Sequence, residues 1–250
     1  RDTALQNREA ALEERENNLL DKQQKIQEAK EEMEEIKRIN DKLSESNDKL
    51  EKAYLEMVET LRFAVEAKDT YTRGHSDRVS KYSVLIGKYL GLSDSDLKTL
   101  EVGGLFHDIG KIGIPDSILL KESKLTDDEY SQIKNHPAIG AHILGSADIF
   151  KDIIPIVKHH HEKYDGTGYP GMLKGEEIPY LARIAAVADT FDAMTSRRSY
   201  RGPIDIEHVK DEIKRCEGTQ FDPQVAEAFL EILNNNYEKI QEIQNKYVSE

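Results

Sequence analysis

The run His107-Asp108-Ile109-Gly110-Lys111 sets an imidazole, a carboxylate and an ammonium together where a helical pattern gives out. Adjacent nitrogen and oxygen donors suit a borderline transition metal. A surface hydrogen bond is the competing use of such a pair, so the remaining donors must decide between the two. His75, His136, His159, His160 and His161 all fall at helix ends or loop junctions rather than on polar faces. Each alone is as well explained as a satisfied surface or buried histidine. Asp189 is harder to dismiss, because it ends the apolar run Ala185-Ala186-Val187-Ala188. A carboxylate in such a helix must be paired or bound to a cation, or folding loses several kcal/mol.

The elements that must position these groups read as successive helices. Apolar Val79, Tyr82, Leu85, Ile86 and Leu90 recur at helical spacing between His75 and Leu90, and Gly91 closes the pattern. Ser93 or Asp94 can cap the next helix, which runs through Leu97, Leu100 and Leu105 into His107 and Asp108. Gly110 is expected to stop it just beyond the pair. Thr126 and Glu129 form a capping box that opens a helix containing His136, with a bend expected at Pro137. Residues 153–161 predict another helix. The loop Asp165-Gly166-Thr167-Gly168-Tyr169-Pro170 follows, too rich in Gly and Pro for a helix. Residues 181–195 are strongly apolar and expected to be central, and Asp222-Pro223 starts the last long helix. No convincing strand alternation is present. The expected fold is all-α, with at most a small hairpin near 168–178.

Residues 1–57 have a different character, with a seven-residue rhythm. One seam reads Leu5, Leu12, Leu19, Ile26, Met33, Asn40, Asn47 and Tyr54, and its partner ends in Ala29, Ile36, Leu43, Leu50 and Met57. This spacing predicts a coiled coil, weak at its start where Arg8, Arg15 and Lys22 occupy the second seam. Asn40 and Asn47 favour a fixed register, which fits a parallel homodimer. A solvated single helix is the alternative. The expected domains are therefore a coiled-coil helix over 1–57 and a globular domain over 58–250.

A net charge of −13 argues against a protein that coats DNA, since phosphate binding of that kind needs a basic surface. Any anionic substrate must be met by local positive charge. The single cysteine, Cys216, can form no internal disulfide and fits a reducing, cytoplasmic setting. No stretch reaches the length of a membrane span.

The ordered series Arg73-Gly74-His75, His107-Asp108-Ile109-Gly110-Lys111, His136-Pro137, His160-His161-Glu162, Asp165 to Pro170 and Ala188-Asp189 resembles the HD-GYP family of cyclic di-GMP phosphodiesterases, a branch of the HD-domain metal phosphohydrolases. The resemblance covers about residues 58–232. It implies a two-metal site in an HD-type helical bundle, with iron or manganese as the divalent ions. By motif, His75, His107, Asp108 and Asp189 would hold one ion and Asp108, His136, His160 and His161 the other, with His159 a bystander. Two dications polarise phosphate oxygens and acidify water, which would let an acidic chain cleave an anion. Lys111 resembles the family lysine on the scissile phosphate, and Asp108 and Lys111 are the catalytic candidates. Arg198 and Arg201 fall where basic groups meet the other phosphate, Tyr169 would face a base or phosphate, and Asp69 and Asp192 would orient ligands. Tyr71 stands where some members carry a third-metal glutamate, so two ions are expected.

The implied function is hydrolysis of cyclic di-GMP to pGpG, with the further step to GMP left open. The alternatives are a phosphodiesterase for another cyclic dinucleotide and a catalytically silent cyclic di-GMP-binding module. The coiled coil suggests a signalling output domain, and the absent initiator Met is consistent with an upstream sensor or receiver domain.

Overall fold

The computed structural model describes residues 2–68, 74–121, 123–196, 202 and 204–247, with side chains from 12 to 63 and at 68 in the first stretch. Arg198, Arg201, Asp69 and Tyr71, all singled out above, lie outside the described residues. Two compact units divide the chain, 1–57 and 58–250.

The first unit is drawn entirely from helix α1 (Asp2–Lys68), whose last turns belong to the second. Its sequence contains no Gly or Pro, and acids four residues before lysines close ion pairs along it, as in Asp21–Lys25 and Glu45–Lys49, both at 2.7 Å. Such pairs add only a few tenths of a kcal/mol each. The seam residues Leu12, Leu19, Ile26, Met33, Ile36, Leu43 and Leu50 are all more than half exposed in the single chain.

The regular elements among the second unit's described residues are all helices, joined by turns and loops. After α1 come α2 (His75–Tyr89), α3 (Asp94–Phe106), the short α4 (Asp116–Leu119), α5 (Asp127–Ile133), α6 (His136–Leu144) and α7 (Ile154–His159). Then follow α8 (Tyr180–Thr195), α9 (Ile206–Arg215), α10 (Pro223–Asn235) and α11 (Tyr237–Lys246). The predicted caps form: Ser93 accepts from the Asp96 amide, Thr126 and Glu129 complete their box, and Asp222 accepts from Gln224 with Pro223 in the first turn. α8 is the central helix. Its Ile184, Val187 and Phe191 are fully buried against Val79, Tyr82 and Ile86 of α2 and Val225 and Phe229 of α10. Phe191 meets both Tyr82 and Phe229 edge to face, at 5.1 and 4.9 Å.

Three expectations need correction. The capping-box helix does not bend at Pro137; it ends at Ile133, Lys134 and Asn135 turn, and α6 begins afresh with Pro137 in its first turn. There Pro gives up no helical hydrogen bond, so a new start is cheaper than a kink. Gly110 is not a left-handed stop, because α3 ends earlier, at Phe106, and Gly110 sits inside a 3-10 helix over Ile109–Gly113. The segment 168–178 forms no hairpin: the described residues contain no strand, only an isolated bridge between Glu217 and Phe221, and Gly175–Glu177 is a 3-10 turn. No described helix is long and apolar enough to cross a membrane.

Candidate metal centre

Helix ends deliver the donors. His75 opens α2, His107 follows the last residue of α3, His136 opens α6, and His160 and His161 follow the end of α7. Asp189 projects from the middle of α8. Gly110 permits their approach: a Cβ there would lie 1.8 Å from the His136 carbonyl oxygen and 2.6 Å from the Gly140 amide. The His-Asp segment therefore lies backbone against backbone on α6.

Two groups of donors result. Asp108, His136, His160 and His161 form one, and His75, His107 and Asp108 the other, with ligand atoms within 4.8 Å of one another in each. Asp108 is common to both. Its Oδ1 lies 3.2 Å from His136 Nε2, and its Oδ2 lies 3.3 Å from His107 Nε2 and 3.9 Å from His75 Nε2. Asp189 stands beside the second group, with Oδ1 3.3 Å from His75 Nε2 and 3.9 Å from His107 Nε2.

The tautomers are set by the backbone. His107, His136 and His160 each place Nδ1 2.8 Å from the carbonyl oxygen three residues earlier, of Gly104, Ile133 and Val157. A carbonyl can only accept, so Nδ1 carries the proton and Nε2 keeps its lone pair. These carbonyls belong to the last turns of α3, α5 and α7 and have no amide partner further along the helix. Among the described residues, buried His107 Nε2 has no hydrogen-bond partner. An orphaned lone pair among imidazoles and carboxylates is what a divalent cation would satisfy, and the donor set fits one.

The charges agree. Burial works against ionised Asp108, yet the Lys111 ammonium beside it holds its pKa well below the usual carboxylate range. Asp189 is also lowered, against burial, chiefly by His75. Burial pushes His160 well down, with neighbouring imidazoles adding to it, and lowers His161 to about 4 against the pull of Asp189. Carboxylates held ionised and imidazoles held neutral are the ligating forms. His75 differs: burial opposes its charge, but contacts with Asp189 and Asp192 raise its pKa to about 9.

Around this cluster, Lys111 Nζ lies 2.8 Å from Asp108 Oδ2, so its ammonium reaches the shared carboxylate. Asp192 accepts from His75 Nδ1 at 2.7 Å. Tyr169 lays its ring 4.9 Å from that of His161, tilted by 34°.

The structure adds residues that sequence reasoning passed over. Arg78 donates to Asp192 through Nε and Nη2, at 2.7 and 3.0 Å. The signal was present: His75 and Arg78 are one turn apart on α2, as are Asp189 and Asp192 on α8, so the two pairs face each other. Glu162, 3% exposed, accepts from the amides of Gly171 at 2.6 Å and Leu173 at 3.2 Å, and so ties down the loop that carries Tyr169. His159 Nδ1 lies 3.3 Å from Glu162 Oε1, so it supports that carboxylate rather than standing idle. Gly168 lets the loop close, since a Cβ there would meet the Lys163 amide at 2.2 Å.

The family profile described as HD domain matches residues 59–225. A cyclic di-GMP phosphodiesterase of Thermotoga maritima is 41% identical over 184 residues, covering 73% of this chain and 50% of that protein. The 3'3'-cGAMP-specific phosphodiesterase 2 of Vibrio cholerae is 38% identical over 178 residues, covering 70% of this chain and 34% of that protein. The chain thus spans half or less of the length of these relatives. Among solved structures, Bd1817, an HDG"Y"P protein of Bdellovibrio bacteriovorus, aligns with a TM-score of 0.54 at 22% identity, over 64% of this chain and 52% of that one. The PgpH HD domain of L. monocytogenes in complex with cyclic-di-AMP aligns with a TM-score of 0.53 at 19% identity, over 76% of this chain and 97% of that one. These likenesses carry the fold alone. With the profile spanning most of its length and the ordered motifs in place, the chain belongs to the HD-domain family, in its HD-GYP branch.

Proposed function

We propose that this chain is a metal-dependent phosphodiesterase that hydrolyses cyclic di-GMP, opening it to pGpG. The observation that carries the reading is Asp108, shared by two convergent donor groups with the Lys111 ammonium on the same carboxylate. Identity of about 40% to proteins named cyclic di-GMP phosphodiesterases supports the substrate.

His75, His107, Asp108 and Asp189 would hold one divalent ion, and Asp108, His136, His160 and His161 the other; iron or manganese suits these donors. When bound, such ions supply Lewis-acid polarisation of phosphate oxygens and acidify water. Lys111 meets the scissile phosphate and adds positive charge where negative charge grows. Asp192 fixes the ring of His75, while Tyr169 shapes the rim beside His161. Arg198 and Arg201 are assigned to the other phosphate on motif alone, and Asp69 to a supporting role on the same ground. The exposed apolar seam of residues 12–50 supports a parallel coiled-coil homodimer, and a sensor or receiver domain upstream is the natural source of its signal. The nucleotide substrate and the lone Cys216 support a cytoplasmic setting.

A second reading is cleavage of 3'3'-cGAMP, favoured by 38–39% identity to proteins named as specific for it. Turnover of cyclic di-GMP, 3'3'-cGAMP and cyclic di-AMP by protein reconstituted with Fe(II) or Mn(II) separates the two. Asp108→Ala is the control, expected to lose both bound metal and turnover, because metal affinity depends on each ligand. Normal metal content and turnover in that variant would refute the assignment.

A further inference from the structure

We propose that Lys134 reads the O6 and N7 edge of a guanine base stacked on the aromatic rim of the site, and so selects guanine over adenine. The proposal rests on the phosphodiesterase reading and deepens it, because it concerns which cyclic dinucleotide the same site accepts.

Lys134 occupies the turn between α5 and α6, two residues before His136. Its Nζ lies 4.6 Å from the ring centroid of Tyr130 and 5.8 Å from that of Tyr169. Tyr169 in turn lies beside His161, whose ring is 5.0 Å from that of His136. The ammonium therefore stands on the His136–His161 flank of the cluster, whereas Lys111 stands against Asp108. No carboxylate lies within ion-pair distance of Lys134 among the described residues, although the chain has 48 acidic side chains to 35 basic ones. Aromatic faces hold a cation without neutralising it or occupying its N–H donors. Lys134 is thus held in place with its hydrogen-bonding capacity open.

A purine needs a π surface and an edge partner. Base–aromatic stacking tolerates any base. Tyr130, 48% exposed, and the half-buried Tyr169 offer such surface. Selection comes from the edge, where guanine presents two acceptors, O6 and N7, while adenine presents one acceptor and the N6 amino donor. An ammonium, which only donates, suits the first and meets a like donor in the second.

The test compares cyclic di-GMP with cyclic di-AMP. Lys134→Met keeps the stem and removes the donors, and Lys134→Arg restores them. The ratio of kcat/KM for cyclic di-GMP to that for cyclic di-AMP should fall about 10-fold in Lys134→Met and recover in Lys134→Arg. Titration calorimetry of both dinucleotides should show the same change in relative affinity. An unchanged ratio, or an equal loss on both substrates as a phosphate contact would produce, overturns the proposal. A parent that binds but cleaves neither dinucleotide sinks the phosphodiesterase reading alone, since the binding ratio still tests Lys134. A parent that neither binds nor cleaves cyclic di-GMP overturns both.

Discussion

Arg78 grips both carboxylate oxygens of Asp192, with Nε 2.7 Å from Oδ1 and Nη2 3.0 Å from Oδ2, while Oδ2 also meets His75 Nδ1 at 2.7 Å. The three residues form one buried unit in which the arginine holds the carboxylate and the carboxylate holds the imidazole. Asp192→Asn keeps the size but removes the charge that aligns His75. Metal affinity should fall about 10- to 100-fold, measured by titration with a competing chelator. Because Arg78 would then be buried without its anion, the melting temperature should fall as well. Unaltered affinity would show that His75 needs no such support.

Gly110→Ala tests the close backbone approach. The added methyl would sit 1.8 Å from the His136 carbonyl oxygen, which can yield only if α6 moves. Overpacking of this kind costs about 1–3 kcal/mol. Chemical denaturation should show it, together with reduced metal content, since α6 carries His136. A variant of parental stability would mean the segment can shift freely.

Glu162→Ala should loosen the loop around Tyr169. Removing the acceptor of the Gly171 and Leu173 amides leaves partly buried donors unpaired, at about 1–3 kcal/mol. Amide hydrogen exchange at Gly171 and Leu173 should rise sharply while α8 stays protected. Equal protection in both proteins would rule out Glu162 as the anchor.

If the proposed homodimer forms, removal of residues 1–57 should convert it to a monomer or to a much weaker dimer, because the exposed heptad seam is the apolar surface through which that segment would pair. Light scattering over a dilution series measures this. Full dimerisation of the truncated protein at low concentration would move the interface to the second unit.

Much of the site was legible because its donors obey local rules. His75, His107 and the pair at 160–161 stand near helix ends that periodicity reveals, and Asp189 betrays itself as a charge in an apolar run, whereas the helix start at His136 was read as the middle of a longer helix. What stayed hidden depends on partners distant in the chain. Arg78 acquires meaning only across 114 residues, from Asp192. Gly110 reads as a helix stop until α6 is laid against it, and Pro137 reads as a kink until the turn at Lys134 and Asn135 is seen. Glu162 looked like a motif letter, and its work, accepting from two loop amides, cannot be inferred from spacing.

The Nδ1 bonds of His107, His136 and His160 end on carbonyls of the final turns of α3, α5 and α7. If any of those turns frays, its carbonyl leaves and the ring above it is released to change tautomer or rotate. Three candidate ligands are thereby made conditional on three separate helix termini being wound. With a cation bound as proposed, the centre would act as a coincidence detector for local folding: affinity would be high only while all three ends are intact, and the cation would in turn clamp them. Hydrogen exchange in the last turns of α3, α5 and α7 should therefore slow together when metal is added.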